Sequence, residues 1–249
     1  MFESKKKFSL SDYQIIVENF SSRGFTFVRV EDAFQKAAKS TYGKLERVTV
    51  IHHDIDHDLD TAVEIGEIEA NLGIHSTYYV LPGSPYWPKH EVIGKPELRK
   101  ILALQSMGHE VGIHNDSISF SIEEGTDPVV HLRQKIAELR DGGLEVKGSS
   151  SHGSPAARAH NFRNYEIFLE MESFKQSQYD GPRISLEDVG LEYEAYELGY
   201  GQYWTDSGGT KRIVFDQFGR SKRSDLWAEV GILVHPIWWG KHVSPTRSW

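Results

Sequence analysis

Arg47 to Asp60 reads RVTVIHHDIDHDLD, an apolar and β-branched run that passes directly into a cluster of ionisable side chains. Alternation along a strand places His52, Asp54 and Asp56 on one face. Carboxylates two residues apart on a strand are about 7 Å apart at Cα, which is close enough to serve one cation or one water molecule. A buried strand with this ending favours a rigidly held site, although a solvated loop after a strand is the alternative interpretation.

Short apolar strands alternate with helical segments on both sides of this stretch. A capping box at Ser11 predicts an N-terminal helix, and Asp58 or Asp60 can cap a helix that ends at Gly73. Another helix is expected near residues 164–173. This alternation predicts an α/β architecture with a largely parallel sheet.

The length and composition of the chain indicate one globular domain. Its 249 residues, of which 39% are hydrophobic, can bury a sizeable core. The sequence contains no internal repeat, low-complexity linker or shift in composition that would mark a boundary. We therefore expect a single domain over residues 1–249, with a helix–strand extension over 1–46 and the core of the fold over 47–249.

The balance of charge excludes some classes of partner. Lys and Arg number 28 against 36 Asp and Glu, and the net charge of −8 argues against nucleic acid or an anionic membrane surface as the main ligand. Without cysteine, a metal would have to be bound by His, Asp and Glu. The first ten residues lack the apolar run of a signal peptide, and no segment approaches about 18 consecutive apolar residues. We expect a cytoplasmic protein without membrane insertion, and its oligomeric state is left open.

A recurring pattern marks the predicted strands, because several of them end abruptly in a histidine or an aspartate. The strand ends concerned carry Asp54 with Asp56, His114, His152, Asp206 and His235. In parallel α/β barrels the carboxyl ends of the strands converge on one face, where active sites lie. A single histidine in this position is more often a hydrogen-bonded structural residue. Together, however, these groups are hard to explain as core packing, because each buried polar group needs partners, and they predict one shared pocket.

The residue types in this pocket indicate metal-assisted hydrolysis. A divalent metal of the zinc class takes imidazole and carboxylate ligands and leaves a position open for water. Such a metal lowers the pKa of a water molecule and polarises a carbonyl group. A neighbouring carboxylate can accept the proton of the water, and a protonated histidine opposite can protonate the leaving group. These parts are sufficient for hydrolysis of an amide or an ester.

Several motifs resemble those of the polysaccharide deacetylases, carbohydrate esterase family four, in a divergent branch of that family. They are HHDIDHD (52–58), IEANLGIHSTYYV (68–80), GHEVGIHND (108–116), SSHGSP (150–155), TDSGG (205–209) and LVHPIWW (233–239). The first and third motifs are the more specific, and the resemblance runs from about Val48 to Trp239. It implies a distorted (β/α)₇ barrel that deacetylates a carbohydrate with the help of a divalent metal, expected to be Zn²⁺.

The resemblance also implies roles for individual residues. The first aspartate of the paired-aspartate motif, Asp54, corresponds to the catalytic base, and the second, Asp56, corresponds to a metal ligand. His114 corresponds to the first histidine of the metal-binding pair of the family. His235, at the end of the last strand, corresponds to the histidine that acts as the acid.

One position departs from the family pattern. The second metal-binding histidine of the family falls on Ile118, which cannot bind a metal, and Asp116 is close by but out of register. We expect His152, at the end of another strand, to supply the missing ligand. The arginine motif of the family is not recognisable, and Arg158 or Arg163 could take its place.

Substrate contacts are predicted for Asp206, Trp87 and Trp238. Trp204 and Trp239 could also present aromatic faces to sugar rings, and ordinary packing is an equally good explanation for each tryptophan. Asp206 could instead cap a loop.

Several other ionisable residues have two interpretations. His52 could touch the pocket, whereas His53 faces away from Asp54 on a regular strand and is expected to be structural. His109 is also expected to be structural. Glu69 borders the apolar stripe of its helix and could be either a buried orienting acid or a flanking surface residue.

The resulting hypothesis is a metal-dependent hydrolase that removes an N- or O-acetyl group from a glycan or a glycan precursor. One alternative is a non-catalytic carbohydrate-binding protein of the same fold with an eroded metal site. Another is a metal-dependent hydrolase of a different bond, such as a phosphoester.

Overall fold

The computed structural model describes residues 8–39, 44–82, 95–174, 179–210, 212–215 and 227–240. The α-helices in these ranges are α1 (Leu10–Ser22), α2 (Val30–Lys39), α3 (Leu59–Asn71), α4 (Lys95–Ser106), α5 (Ser117–Glu124), α6 (Pro128–Asp141) and α7 (Pro155–Ala159). The strands are β1 (Thr26–Val28), β2 (Lys44–Ile55), β3 (Thr77–Val80), β4 (Glu110–Asn115), β5 (Val146–Ser151), β6 (Tyr193–Glu194), β7 (Gly199–Thr205), β8 (Arg212–Phe215) and β9 (Trp227–Val234). None of the helices in this part of the chain is long and apolar enough to cross a membrane.

The strands form one sheet, most of which is parallel, as the alternation of strands and helices predicts. Seven strands lie side by side in parallel in the order β6-β5-β4-β3-β2-β9-β7, and β8 pairs antiparallel with β7. The long strand β2 is central: β1 pairs with its first half at Val48–Val50, and β3 pairs with its second half at His52–Ile55. The helix–strand segment before residue 47 is therefore joined to the sheet through β1.

The sheet is curled into a half-barrel, as the connection between its two ends demonstrates. Strand β6 ends at Glu194 and β7 begins at Gly199, so only residues 195–198 connect the first strand of the parallel series to the last. In a flat sheet, with a strand spacing of about 4.8 Å, these two strands would be about 29 Å apart. A connection of this length spans at most about 18 Å. The α/β barrel-like architecture expected from the sequence is thus present in its coarse form.

Two glycines on the concave face make room for a buried pair of tyrosines. The hydroxyl groups of Tyr79 on β3 and Tyr193 on β6 are 3.0 Å apart, although β4 and β5 separate the two strands. A Cβ atom on Gly112 of β4 would lie 2.6 Å from the ring of Tyr79, and one on Gly148 of β5 would lie 2.0 Å from the ring of Tyr193. Glycine at both positions therefore lets the two rings meet across the interior of the curl.

The convex face of the sheet is covered by helices. Tyr13 and Val17 of α1 pack with Ile51 of β2 and Ile232 of β9 in one buried apolar cluster. A second and larger cluster joins β3, β4 and β5 to the apolar sides of α3, α4 and α6. A third apolar cluster, which includes Val50, Tyr79, Tyr193 and Leu233, fills much of the concave side. The polar groups of the candidate site lie at the carboxyl ends of the strands, beyond this cluster.

The structure corrects several local predictions. Helix α1 is capped by Ser9 in a capping box with Asp12, so the prediction of a cap at Ser11 was wrong. The side chain of Asp58, and not that of Asp60, caps α3. The helix expected near 164–173 consists of two 3₁₀ segments, at Asn164–Ile167 and Leu169–Phe174.

Helix α5 was not predicted, and its sequence shows why. Serine alternates with a large apolar residue from Ser117 to Ile122, a pattern with the period of a strand. The backbone N–H groups of Ile118 and Ser119 donate to Oδ1 of Asn164, which caps the first turn of the helix. A cap from a residue so distant in the sequence overrides the local pattern.

Candidate active site

The strand register brings Asp56 and His114 to the same level of the sheet. Ile55 of β2 pairs with Val80 of β3, and Val80 pairs with Ile113 of β4. Asp56 and His114 each follow by one residue, and Nε2 of His114 lies 3.3 Å from Oδ1 of Asp56. The curl of the sheet allows these side chains to meet even though β3 lies between their strands.

His152 completes a group of three side chains of the types that can bind a metal, and the sequence predicts that the three lie together. His114 on β4 pairs with Ser150 on β5. His152 is two residues after Ser150, directly past the end of β5. Nε2 of His152 lies 3.9 Å from Oδ1 of Asp56, and one ligand atom from each of Asp56, His114 and His152 lies within 4.8 Å of the other two. Ligand atoms around a tetrahedral zinc ion are about 3.3 Å apart, so the contact between His114 and Asp56 already fits and the others are slightly wider.

The electrostatics of this cluster favour a cation. Oδ1 of Asp56 is buried, and no donor among the described residues is aligned to form a hydrogen bond with it. Burial by itself raises the pKa of Asp56, but His114 and His152 outweigh it and hold that pKa below its usual range. Burial likewise lowers the pKa of His114, but Asp54 and Asp56 raise it to about 9. These shifts favour a proton between the carboxylates and the imidazoles. A divalent metal can bind at the same place, because metal binding displaces protons from such ligands.

Asp54 lies beside this cluster on the same face of β2. One of its oxygens, Oδ2, is 3.7 Å from Nε2 of His114, and the other, Oδ1, accepts a long hydrogen bond of 3.5 Å from Oγ of Ser150. The side chain is buried. The predicted base is thus next to the predicted ligands, and it lies further than Asp56 from Nε2 of His114.

His235 approaches the site from β9, the strand on the other side of β2. Leu233 pairs with His52, so that His235 follows at the level of Asp54. Nδ1 of His235 lies 2.6 Å from Oδ1 of Asp206, whose carboxylate also accepts the backbone N–H of His235. Burial lowers the pKa of His235, but the anion of Asp206 outweighs it and raises that pKa to about 10.

Asp206 is occupied by contacts within the protein. Besides His235, it accepts a 2.6 Å hydrogen bond from Nε1 of Trp239, and it is buried. Trp239 is buried too and packs edge-on against Tyr13 with the ring centres 5.5 Å apart, which agrees with ordinary packing, the second of its two interpretations. Trp204 points to the convex side, where it contacts α1, and offers no face to the pocket.

The remaining predicted substrate contacts lie at the edge of the site or beyond the described residues. Trp238 is half-buried, and its backbone N–H donates to the carbonyl of His235. Its ring lies 3.0 Å from the place that a Cβ atom on Gly209 would take. Its contact with substrate stays a prediction. Trp87 lies outside the described residues, and its predicted role is likewise untested.

Ile118 does not take part in the cluster. It is buried in the apolar core against the helices, as expected of a residue that cannot bind a metal. The two arginines that could replace the family's arginine donate to backbone carbonyls instead: Arg158 to Gly153 at 2.6 Å and Arg163 to Phe162 at 2.8 Å.

His52 lies on the inner face of β2, on the interior side of Asp54. Its ring centre is 5.9 Å from that of Tyr79 and 6.3 Å from that of Tyr203. Burial lowers the pKa of His52 to about 4, so the imidazole is neutral at pH 7. The pocket is therefore lined on this side by a neutral ring among aromatic side chains.

His53 faces the opposite way and joins a buried polar network. Its Nε2 lies 2.9 Å from Oε1 of Glu69, which also accepts a hydrogen bond from the hydroxyl of Tyr13. Oε2 of Glu69 accepts from Ser76 at 2.5 Å and from Tyr78 at 2.7 Å. Burial raises the pKa of Glu69, but His53 outweighs it and lowers that pKa to about 2. Glu69 is thus a buried orienting acid, the first of the two interpretations of its sequence position.

Two residues that support His152 were not identified from the sequence. Oδ2 of Asp116 lies 3.2 Å from Nδ1 of His152, and Nδ2 of Asn164 donates to Oδ1 of Asp116 at 2.9 Å. The position of Asp116 directly after His114-Asn115 could have indicated that it lies at the site. Nothing in the sequence indicated Asn164, since it lies in a segment without regular periodicity.

The comparisons with known proteins do not identify a family. A scan against protein-family models, a search of the curated proteins and a search of the solved structures all find no match for this chain. What the site can do must therefore be inferred from its own residues.

Proposed function

We propose that the protein is a metal-dependent hydrolase of the polysaccharide deacetylase type, which removes an N- or O-acetyl group from a carbohydrate. The observation that carries this proposal is the meeting of Asp56, His114 and His152 at one point, where their ligand atoms lie within 4.8 Å of one another. Asp54 flanks this point on the same strand, and His235 approaches it from the neighbouring strand β9.

The donor set fits a divalent cation of the zinc class. Two imidazoles and one carboxylate, without any thiolate, match the ligands of hydrolytic zinc sites. The buried Oδ1 of Asp56, which no described donor is aligned to satisfy, supplies the negative atom. When bound, the cation supplies Lewis acidity that polarises a carbonyl and makes water more acidic.

Asp54 is the group that would accept a proton from water. It lies 3.7 Å from Nε2 of His114, so a water molecule at the cluster would be within its reach. The carboxylate of Asp54 is buried, and its polar neighbours include Oγ of Ser150 at 3.5 Å and Nε2 of His114. A buried carboxylate beside the ligands, and not the closest of them, suits the role of a general base.

His235 is the group that would protonate the departing amine or alcohol. Because its pKa is raised to about 10, the ring carries a proton on both nitrogens at neutral pH. Nδ1 is engaged by Asp206, so Nε2 is the atom from which a proton can be given. In this proposal the general base is on β2 and the general acid follows the neighbouring strand β9.

The experiment that tests this proposal measures acetate released from a panel of acetylated mono- and oligosaccharides by the zinc-loaded protein. We expect release from at least one N- or O-acetylated sugar and none after chelation. Absence of acetate from every member of the panel, despite stoichiometric zinc, would overturn the proposal. Phosphate release from sugar phosphates, measured in parallel, would instead indicate a hydrolase of a different bond.

The apolar environment of Ile118 favours a second candidate, a non-catalytic carbohydrate-binding protein of the same fold. The position that would carry the second imidazole of the family is filled by a core residue, so the cluster depends on His152, from another strand, for its third ligand. Metal analysis of the purified protein separates the two candidates. Less than stoichiometric divalent metal, with and without added zinc, would favour the binding protein.

A further inference from the structure

Asp116, the residue after Asn115, does not cap helix α5, although it stands at the N-cap position of that helix. Asp116 is at the N-cap position of α5, where an aspartate usually accepts a hydrogen bond from the first turn of the helix. Its side chain makes no such bond. The first turn is capped by Oδ1 of Asn164, which accepts from the backbone of Ile118 at 3.0 Å and of Ser119 at 3.1 Å.

The carboxylate that is released from capping faces His152. Oδ2 of Asp116 lies 3.2 Å from Nδ1 of His152, while Nε2 on the other side of the same ring lies 3.9 Å from Oδ1 of Asp56. The contact has the length of an ion pair and is not aligned as a hydrogen bond. Asp116 is the nearer of the two carboxylates, so it favours the tautomer with hydrogen on Nδ1, and the lone pair of Nε2 then faces the space between His152 and Asp56 that a cation would occupy.

Asn164 fixes the position of Asp116 from behind. The side chain of Asn164 is fully buried, and its Nδ2 lies 2.9 Å from Oδ1 of Asp116, 3.0 Å from Oγ of Ser119 and 2.9 Å from the carbonyl of His152. The backbone carbonyl of Asn164 accepts from Nδ2 of Asn115 at 3.2 Å. One amide therefore connects the end of β4, the start of α5 and the segment after β5, which are the elements that carry Asp116 and His152.

We propose that Asp116, held by Asn164, is a positioning residue that orients His152 with its Nε2 toward Asp56. This inference rests on the proposed function in so far as His152 is a metal ligand there. The chain thereby replaces a ligand that Ile118 cannot provide with an imidazole from the next strand, oriented by its own carboxylate. Partners of this kind typically change metal affinity by roughly 10- to 100-fold when they are lost.

Asp116→Asn tests the proposal because the amide keeps the size of the side chain and removes its charge. Asp127→Asn is the matched control, since Asp127 is an exposed N-cap aspartate at the start of the next helix, α6. Zinc affinity would be measured by competition with a chelator, and the tautomer of His152 by two-bond ¹H–¹⁵N correlation in the metal-free protein. Circular dichroism would verify that both variants are folded.

We expect Asp116→Asn to weaken zinc binding by roughly 10- to 100-fold and to move hydrogen from Nδ1 toward Nε2 of His152, with neither change in Asp127→Asn. Unchanged affinity together with an unchanged tautomer would overturn the inference and leave the proposed function intact. If the wild-type protein binds no zinc, the proposed function fails, and the tautomer alone decides: a shift in Asp116→Asn supports the orienting role, and its absence overturns it.

Discussion

Oε1 of Glu69 on α3 lies 2.9 Å from Nε2 of His53 on β2, and both side chains are completely buried. His53 stands between His52 and Asp54, which face the interior of the curled sheet. Alternation along β2 thus turns one ionisable side chain to an anion on the convex face and its neighbours to the pocket on the concave face. The strand that presents Asp54 is held from behind by the carboxylate of Glu69.

Substitution of Glu69 by glutamine should cost stability, because the amide cannot accept from His53, Tyr13, Ser76 and Tyr78 as the carboxylate does. We expect a loss of about 3 kcal/mol in the free energy of unfolding, typical of breaking a buried charged contact, measured by urea denaturation. Glu67→Gln, an exposed position of the same helix, should change it by less than about 0.5 kcal/mol. Equal small effects of the two substitutions would contradict a stabilising role for the network.

The contact between Glu69 and His53 should also make the stability of the fold depend on pH. The pKa of Glu69 is lowered from its ordinary value of 4.5 to about 2 in the folded protein, so the unfolded chain binds more protons between these values. Its contribution to stability is fully present above pH 4.5 and is lost as the pH falls toward 2. Wild-type stability should therefore fall more steeply than that of Glu69→Gln as the pH falls from 4.5 toward 2. If the free energy of unfolding fell equally steeply with pH in the two proteins, Glu69 would be excluded as the source of the loss of stability in acid.

Asp54→Asn should abolish turnover while leaving the metal bound, because the amide has nearly the same shape and cannot accept a proton. We expect acetate release to fall by roughly 10²- to 10⁴-fold and zinc content by metal analysis to be unchanged. Asp60→Asn is the matched control, an exposed aspartate on α3 whose carboxylate contacts Lys100. Full activity in Asp54→Asn would remove Asp54 from the proposed mechanism.

Asp206→Asn should shift the pH dependence of the reaction. The anion of Asp206 raises the pKa of His235 to about 10, and a general acid is active only while it is protonated. Loss of the anion lowers the pKa of His235, so the basic limb of the pH–rate profile should move to lower pH. Asp188→Asn, an exposed aspartate away from the site, should leave the limb in place. A lower rate with an unmoved basic limb would argue that His235 is not the acid.

Gly148→Ala should destabilise the fold, because a Cβ atom there would lie 2.0 Å from the ring of Tyr193. We expect a loss of about 1–3 kcal/mol, the usual cost of overpacking a core, measured as a lower melting temperature. Gly153→Ala is a suitable comparison, since a Cβ atom at Gly153 would have no heavy atom within 4 Å. Similar melting temperatures for the two variants would show that Tyr193 can move aside.

The sequence alone predicted the largely parallel α/β sheet and the proximity of Asp56, His114 and His152. Asp56, His114 and His152 each follow an apolar run, and the carboxyl ends of parallel strands converge on one side of a sheet. This is a regular geometric consequence of strand direction, so it could be derived without knowing which strands are neighbours. The coarse barrel-like fold followed from the same alternation of elements.

The role of Asp206 could not be derived in this way. Its partner His235 lies at the end of β9, and the order β2-β9-β7 brings β9 next to β7 although β8 intervenes in the sequence. Strand order of this kind is decided by tertiary packing. A substrate contact was the natural prediction for an aspartate at a strand end, whereas the structure gives both of its oxygens to His235 and Trp239.

The partners of His152 were missed for a similar reason. Asn164 reaches Asp116 across 48 residues of chain, and it belongs to a 3₁₀ segment that has no apolar periodicity. The same asparagine caps α5, whose alternating sequence looks like a strand. Long-range hydrogen bonds thus decided both the local structure and the support of a predicted ligand, and neither leaves a pattern in nearby residues.

The span 195–198 holds the two ends of the parallel series together by covalent bonds, because β6 and β7 are not paired with each other within the described sheet. Ala195 and Leu198 of this span are buried in the same apolar cluster as Tyr193 of β6 and Tyr200 of β7. Widening the gap between the two edges would therefore break apolar contacts, and it would break no inter-strand hydrogen bond of the described sheet.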